Sequence, residues 1–230
     1  MLKLLRLEIK KYHLWRYMKG VIIANLCFLS LLVLIYVLEK NDGNIPFESY
    51  DMAFSIIGSV VRATFTVFAA VLITRLFLEE YKTKSISVLF MYPIKRQKIM
   101  LAKVLLIIIF TFATILLSNI LMGSIFYLMN KVLHFLAEPM TSDIFMRNAL
   151  SVLISAAASA GIGLIPLYIG MRRKSVPATL VSAVLIVGFT SATSNDFSMF
   201  AITAVPVSLA AVGLLSAYLS IRNVETTDIA

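Results

Sequence analysis

Apolar residues in this chain fall in blocks about as long as a bilayer is thick, separated by short polar stretches. The blocks are Gly20–Leu38, Ala53–Leu78, Val104–Leu128, Asn148–Gly170, Val176–Ala192 and Phe197–Ile221. A hydrocarbon core of about 30 Å requires about 20 mostly apolar residues from a crossing helix. Lipid offers open backbone groups no partners, so each block is predicted to be a helix. The pattern predicts an all-α integral membrane protein with six transmembrane helices, in one domain over residues 1–230. The fifth block is the shortest and carries Pro177 near its start.

Composition agrees with the blocks. Hydrophobic residues make up 60% of the chain and charged residues 14%, whereas a soluble domain is closer to half apolar. The first block is too long for the apolar part of a signal peptide. Glu39-Lys40-Asn41-Asp42 follows it where a small-residue cleavage site would be expected. The single cysteine, Cys27, lies inside that block and excludes an intrachain disulfide.

Charge then orients the blocks. Lys3, Arg6, Lys10, Lys11, Arg16 and Lys19 precede the first. Arg75, Lys82, Lys84, Lys95, Arg96, Lys98 and Lys103 belong to the second-to-third connection. Arg172, Arg173 and Lys174 follow the fourth block, and Arg222 follows the sixth. The opposite side carries only Lys40, Lys131 and Arg147. The positive-inside rule places both termini in the cytoplasm. A net charge of +9 is thereby accounted for by topology, and no nucleic-acid partner is expected.

Two cytoplasmic stretches have more than charge. In residues 1–19, Lys3, Arg6, Lys10 and His13 form one polar stripe at helical spacing. Leu2, Leu5 and Ile9 flank it, as do Leu4, Leu7 and Leu14, and Trp15 and Tyr17 stand near the first block. This is an amphipathic helix at the inner membrane surface, either docked on a partner or serving as a topology anchor. The second stretch, 79–103, places Ile86, Leu89 and Phe90 at helical steps. Pro93 breaks that helix and Lys95, Arg96 and Lys98 follow. Apolar residues in a charged cytoplasmic connector predict contact with a soluble protein.

Catalytic patterns are absent. No G-x-x-x-x-G-K-[ST] occurs, so any ATP chemistry must come from another polypeptide. His13 and His134 fall on opposite sides of the predicted membrane, and no H-E-x-x-H exists for zinc. Glu79-Glu80-Tyr81-Lys82-Thr83-Lys84 is similar to the E-E-x-x-x-R motif of intramembrane CAAX-type proteases. The histidines which that family needs on later helices are missing, and lysine lacks arginine's planar fork. No metal or cofactor site is expected in this chain.

Within the blocks, Arg62 is the ionised residue that matters. It marks either a functional site or, if the second span starts near Val60, a side chain that snorkels to the outer head groups. Asn25, Asn119, Thr64, Thr66, Thr111 and Thr114 are expected to act as interhelical glue. Ser155, Ser159 and Gly163 recur at steps of four, as do Ala157 and Gly161, which predicts close helix packing. Pro166 and Pro206 are expected to kink their helices.

Glu80, Leu89, Tyr92-Pro93-Ile94-Lys95-Arg96, Ile99 and Lys103 together resemble the cytoplasmic loop of ABC-2-type transporter permeases. The chain departs from that pattern at Lys84, where glycine is usual, and at Lys95, where serine is usual. The layout of the whole chain is similar too, and in size it looks most like the bacitracin-resistance and lantibiotic-immunity permeases. The resemblance implies a type V exporter-like fold in a bacterial cytoplasmic membrane. It also implies a dimer with a second or paralogous permease copy, and two ABC ATPase subunits that carry ATP and magnesium. The coupling residues would be Ile86, Leu89, Phe90, Tyr92, Pro93, Lys95 and Arg96, with Arg172 and Arg173 completing the contact. By the same resemblance the substrate pathway would include Arg62, Phe65, Phe68, Val187 and Phe189. The implied substrate is an amphipathic or hydrophobic compound such as a peptide antibiotic or a lipid. The alternative from another class is an immunity or scaffold protein that binds its target without transport.

Overall fold

The computed structural model describes residues 15–41, 49–79, 96–133, 142–191, 193–194, 197–198 and 204–222. Its elements are α1 (Trp15–Asn41), α2 (Tyr50–Ile73) continued by a π-helical turn (Thr74–Leu78), α3 (Arg96–Leu133), α4 (Ser142–Ile162) and α5 (Ile165–Arg173). These are followed by α6 (Val176–Thr190), the strand pair β1 (Thr193–Ser194) and β2 (Phe197–Ser198), and α7 (Ala204–Arg222). The fold is an all-α membrane protein. Among the described residues, five helical stretches are long and apolar enough to cross a bilayer: α1, α2 with its π turn, α3, α4 with α5, and α7.

The predicted blocks map onto these helices with informative shifts. The second span starts at Tyr50 instead of Ala53 or Val60. Ser49 caps it, accepting from Met52 N at 3.3 Å, and Asp51 complements the dipole of the first turn. The fifth block yields only α6, 15 residues long. The sixth begins at Ala204 instead of Phe197, because Phe197 pairs with Ser194 in the antiparallel ribbon. The amphipathic stripe of residues 1–14 lies outside the described residues.

Helix packing concentrates on α2, α3 and α4. These three touch one another, α7 packs along α4, α6 packs against α2 and α5, and α1 leans on α3. At the end of the bundle that carries Lys19, Arg75, Arg172, Arg173 and Arg222, Leu72, Leu76, Phe77, Met100, Ile107 and Leu167 form one buried cluster. A second cluster joins Phe28, Ile57, Phe65, Ile115, Phe126 and Ala156 toward the opposite end. Lipid tails are as apolar as these side chains, so close packing and hydrogen bonds, not water exclusion, must hold the helices together.

Specific contacts supply that cohesion. Asn25 of α1 donates to Ser118 of α3 at 2.9 Å, Asn130 of α3 donates to the Tyr50 hydroxyl, and Asn148 of α4 donates to Asp51 at 3.1 Å. Phe68 stacks on Phe110 and meets Tyr17 and Phe65 edge-on. Gly20 leaves room for its ring, since a Cβ there would lie 3.2 Å from it. The expected Asn25 glue is therefore real and joins α1 to α3.

The small-residue run on α4 serves two neighbours. Gly163 faces α2, where a Cβ would lie 3.1 Å from that of Ala69, while Gly161 faces α7. The α4–α7 crossing brings backbone onto backbone: a Cβ on Gly213 would lie 2.0 Å from the Gly161 carbonyl oxygen. Ala157, placed with Gly161 by spacing, is exposed. The helix breaks as expected near Pro166, which cannot donate a backbone bond. Leu164 N bonds to Gly161 O and Leu167 N to Leu164 O, bridging α4 into α5.

Gly213→Ala is expected to force α4 and α7 apart at a cost of about 1–3 kcal/mol. Thermal unfolding in detergent should show a midpoint about 2–4 °C lower per kcal/mol lost. Gly188→Ala, where a Cβ meets nothing within 4 Å, should leave the midpoint unchanged or raise it through better helix propensity. Equal behaviour of the two variants would contradict the backbone crossing.

Candidate functional site

Among the described residues, two places bring an ionised side chain inside the bundle. The first is the base of the connector, where α2 ends and α3 begins. Thr74–Leu78 widens into a π turn, a departure that shifts the carbonyl ladder and recurs at functional sites. Lys103 occupies the gap. It is 1% exposed, its Nζ donates to the Leu76 carbonyl at 2.8 Å, and it lies 5.7 Å from the centre of the Phe77 ring. A lysine that counts by sequence as one more interfacial charge is instead an internal clamp joining α2 to α3. One turn away, Arg75 pairs with Glu79 on the exposed face. The described part of α2 ends at Glu79 and α3 starts at Arg96, so the helices on both sides of residues 80–95 are tied together at this clamp.

Of the predicted coupling residues, Ile86, Leu89, Phe90, Tyr92, Pro93 and Lys95 lie outside the described residues. Arg96 is the first residue of α3. Arg172 and Arg173 are exposed in the last turn of α5, where cations complement the helix dipole. The turn that follows is tight. Lys174 takes the left-handed conformation at φ 48°, and Gly170 sits against the fully buried Thr179 so closely that a Cβ would fall 2.2 Å from Oγ1. The α5–α6 hairpin thus projects its two arginines at the same end of the bundle as Lys98 and Arg75.

The second place is a cleft inside the bundle, lined by Arg62, Ala63 and Thr66 of α2, Ser159 and Ile162 of α4, and Thr190 and Ser191 at the end of α6. Its interior has a volume of about 10 Å³, room for about one water molecule. Arg62 lies about 18 Å along the axis from Tyr50 and about 24 Å from Leu78, at 1.5 Å per residue. Its guanidinium folds back along its own helix and donates from Nη2 to Ser59 Oγ at 2.9 Å. Gly58 makes that seat possible, because a Cβ there would stand 3.1 Å from Nη1. Asn119 of α3 adjoins the same spot, with Oδ1 3.7 Å from that Cβ position. Both readings of Arg62 thus find a counterpart: it leans toward the Tyr50 end, yet from a start well inside the span.

The other predicted pathway residues are spread apart. Phe65 is 1% exposed in the core, with Phe68 packed beside it. Val187 is half-buried, and its carbonyl accepts from Ser191 N at 2.8 Å. Phe189 is 59% exposed on the outer face of α6. Arg62 is the member of that set that borders the cleft. Ser159, Thr190 and Ser191 were not singled out as site residues by sequence. A serine within a run of small residues signals packing, and only the early end of α6 brings two hydroxyls to Arg62. Among the described residues no group of three metal-ligating side chains occurs.

The sequence profile of ABC-2 family transporter proteins matches residues 4–189. The chain belongs to the ABC-2 family. A protein of Bacillus subtilis (strain 168), described as the uncharacterized protein YcbO, is 44% identical over 227 residues, covering 99% of this chain and all of the relative. No solved structure matches. ABC-2 proteins are membrane components of ABC transporters, so the multi-pass helices described above form the membrane part of such a system. Lys103 and Leu76 join the two described helices that flank residues 80–95.

Lys103→Met is expected to leave the Leu76 carbonyl without its donor and to weaken the end of α2 by about 1–3 kcal/mol. Hydrogen exchange across Thr74–Glu79 should quicken about tenfold or more. The exposed Lys98→Met should leave that exchange as in the parent. Unchanged protection in the Lys103 variant would show that the clamp carries no stability.

Proposed function

We propose that this chain is the permease subunit of an ATP-driven ABC exporter that moves an amphipathic or hydrophobic compound, such as a peptide antibiotic or a lipid. The observation that carries the proposal is membership of the ABC-2 family over most of the chain, together with a connector whose two feet are joined by Lys103 and Leu76. A joined base lets a push on the connector reach α2 and α3 together instead of bending a loop. The basic end of the bundle faces the cytoplasm, as the distribution of lysine and arginine argues. The whole chain acts as one permease domain and works as a dimer with a second or paralogous copy. Two ATPase subunits bind below it and hold the ATP and magnesium. Residues 79–103 dock on them through Ile86, Leu89, Phe90, Tyr92 and Pro93, with Lys95, Arg96, Arg172 and Arg173 as the basic shoulder.

The compound passes beside α2 and α6, near Arg62. Closure of the ATPases on ATP shifts the equilibrium between inward- and outward-open arrangements, by the difference in their contacts with the connector. Phe65, Phe68, Val187 and Phe189 belong to the helices that would change partners in that step.

Purification of the tagged chain in mild detergent is expected to bring down an ATPase carrying a P-loop. Leu89→Asp, or charge reversal at both Lys95 and Arg96, should reduce that recovery about tenfold, with the permease still inserted at parental levels. Charge reversal at Lys131, at the opposite end of the bundle, should have no effect. Recovery that is unchanged in the connector variants would remove the coupling assignment, and a membrane fraction without any ATPase would remove the exporter.

A further inference from the structure

Polar side chains fasten much of the bundle directly. Asn25 joins α1 to α3, Asn130 joins α3 to Tyr50 of α2, Asn148 joins α4 to α2, and Ser216 of α7 reaches the Leu164 carbonyl at 3.4 Å. The hydroxyls of α6 turn back on their own helix instead. Thr179 donates to Ser175 O at 3.1 Å, Ser182 to Thr179 O at 2.8 Å and Thr190 to Ile186 O at 2.9 Å. Their protons are committed there, so any bond between these hydroxyls and a neighbouring helix is one that they accept.

Ser159 stands on the wall that faces the end of α6. A helical serine commonly gives its proton to a carbonyl one turn back, as Ser155 does to Val152 O at 3.1 Å. Ser159 does not. It is 2% exposed, and its Oγ has no hydrogen-bond partner among the described residues. A buried hydroxyl in that condition is costly in dry surroundings. The cleft that it lines reaches across to Thr66 of α2 and to Thr190 and Ser191 at the end of α6.

The size of the cleft selects its occupant. An interior of about 10 Å³ suits one water and leaves no space for an anion, an organic ligand or a hydrated ion. No carboxylate lines it, so a bare cation would lack a counter-charge. A buried water needs roughly two to four polar partners. Hydroxyls on three helices border the space: Ser159 has its proton to give, and Thr190 Oγ1 keeps lone pairs with which to accept.

We infer that the cleft binds one ordered water, which takes up the Ser159 hydroxyl and bridges α4 to α2 and to the end of α6. That water is the polar link between α6 and the bundle, serving α6 as Asn25 serves α1; a bridging water is nearly as favourable as a direct bond. The inference stands apart from the exporter reading, because a bound water is a property of this chain without an ATPase.

Water contact is read in the full chain, perdeuterated, labelled at the isoleucine δ1 methyls and held in nanodiscs. Ile162 borders the cleft, and Ile162→Val identifies its signal. Its methyl should show a magnetisation-transfer cross-peak to water. Ile107 and Ile115 are fully buried, one turn before and after Thr111, whose hydroxyl also has no partner among the described residues. They control for transfer relayed by a hydroxyl alone and should show no such peak. Absence of the peak at Ile162, or equal peaks at Ile107 and Ile115, would overturn the bound water.

Ser159→Ala tests the bridge by the sign of its effect. A hydroxyl held by a bridging water stabilises, so its loss should lower the thermal midpoint in detergent by about 2–4 °C. Amide exchange over Leu185–Ser191 should quicken about tenfold, while exchange over Thr74–Glu79 stays as in the parent. A hydroxyl left dry is a penalty, and its removal would raise the midpoint. A midpoint unchanged or raised, or unchanged exchange at the end of α6, overturns the bridge. The methyl measurement uses the parent protein and decides the water even if Ser159→Ala does not insert.

Discussion

A backbone group inside hydrocarbon has no water to turn to, and this constraint shapes three irregular places among the described residues. Where the ladder of α2 widens at Thr74–Leu78, a lysine side chain from α3 reaches the Leu76 carbonyl. Where Pro166 withholds a donor, the chain adopts tighter bonds around Leu164 to carry α4 into α5. Where α6 stops early, hydroxyls and a guanidinium gather around its end. In each case a polar side chain or a local rewiring of the backbone stands where solvent would act in a soluble protein.

The two sites lie at different levels of one helix. Arg62 and the Lys103 clamp are joined through α2, with Phe65, Ala69, Leu72, Ile73 and Leu76 buried along the way. These residues pack on α3 and α4 without a break in helical hydrogen bonding until the π turn. A helix packed in this way transmits displacement along its axis better than it bends. The cleft and the connector are therefore mechanically adjacent although about 20 Å of helix separates Arg62 from Leu76.

Much of this was legible in the block pattern. Helix type, the number of apolar stretches and the break near Pro166 follow from hydropathy and from proline's missing donor. The remainder depended on facts that hydropathy does not carry. Val176–Ala192 is the shortest block, and its helix stops two residues before the block's end, at Thr190, where the polar residues Thr190, Ser191, Thr193, Ser194, Asn195 and Asp196 begin. Phe197 is apolar and nevertheless lies in a ribbon, because pairing with Ser194 satisfies its backbone there. Lys103 resembles an interfacial charge until Leu76 is seen to need it. Gly58 looks like any helical glycine until Arg62 is found folded over it. Small residues on α4 correctly forecast close packing, but their spacing alone did not divide them between α2 and α7. The connector's apolar face from Ile86 to Phe90 is a reading of spacing, and those residues lie outside the described ones.

The length of α3 has a consequence of its own. At 38 residues it is about 57 Å long, nearly twice the hydrocarbon thickness, which is long enough to act as a lever. A rigid rod of that length, tilted by about 5° around its middle, moves each end by about 2.5 Å. Because Lys103 fastens the short arm of this lever to α2, a tilt imposed at one end cannot be absorbed there. It is passed on to the far end, where Asn130 ties α3 to α2 a second time through Tyr50.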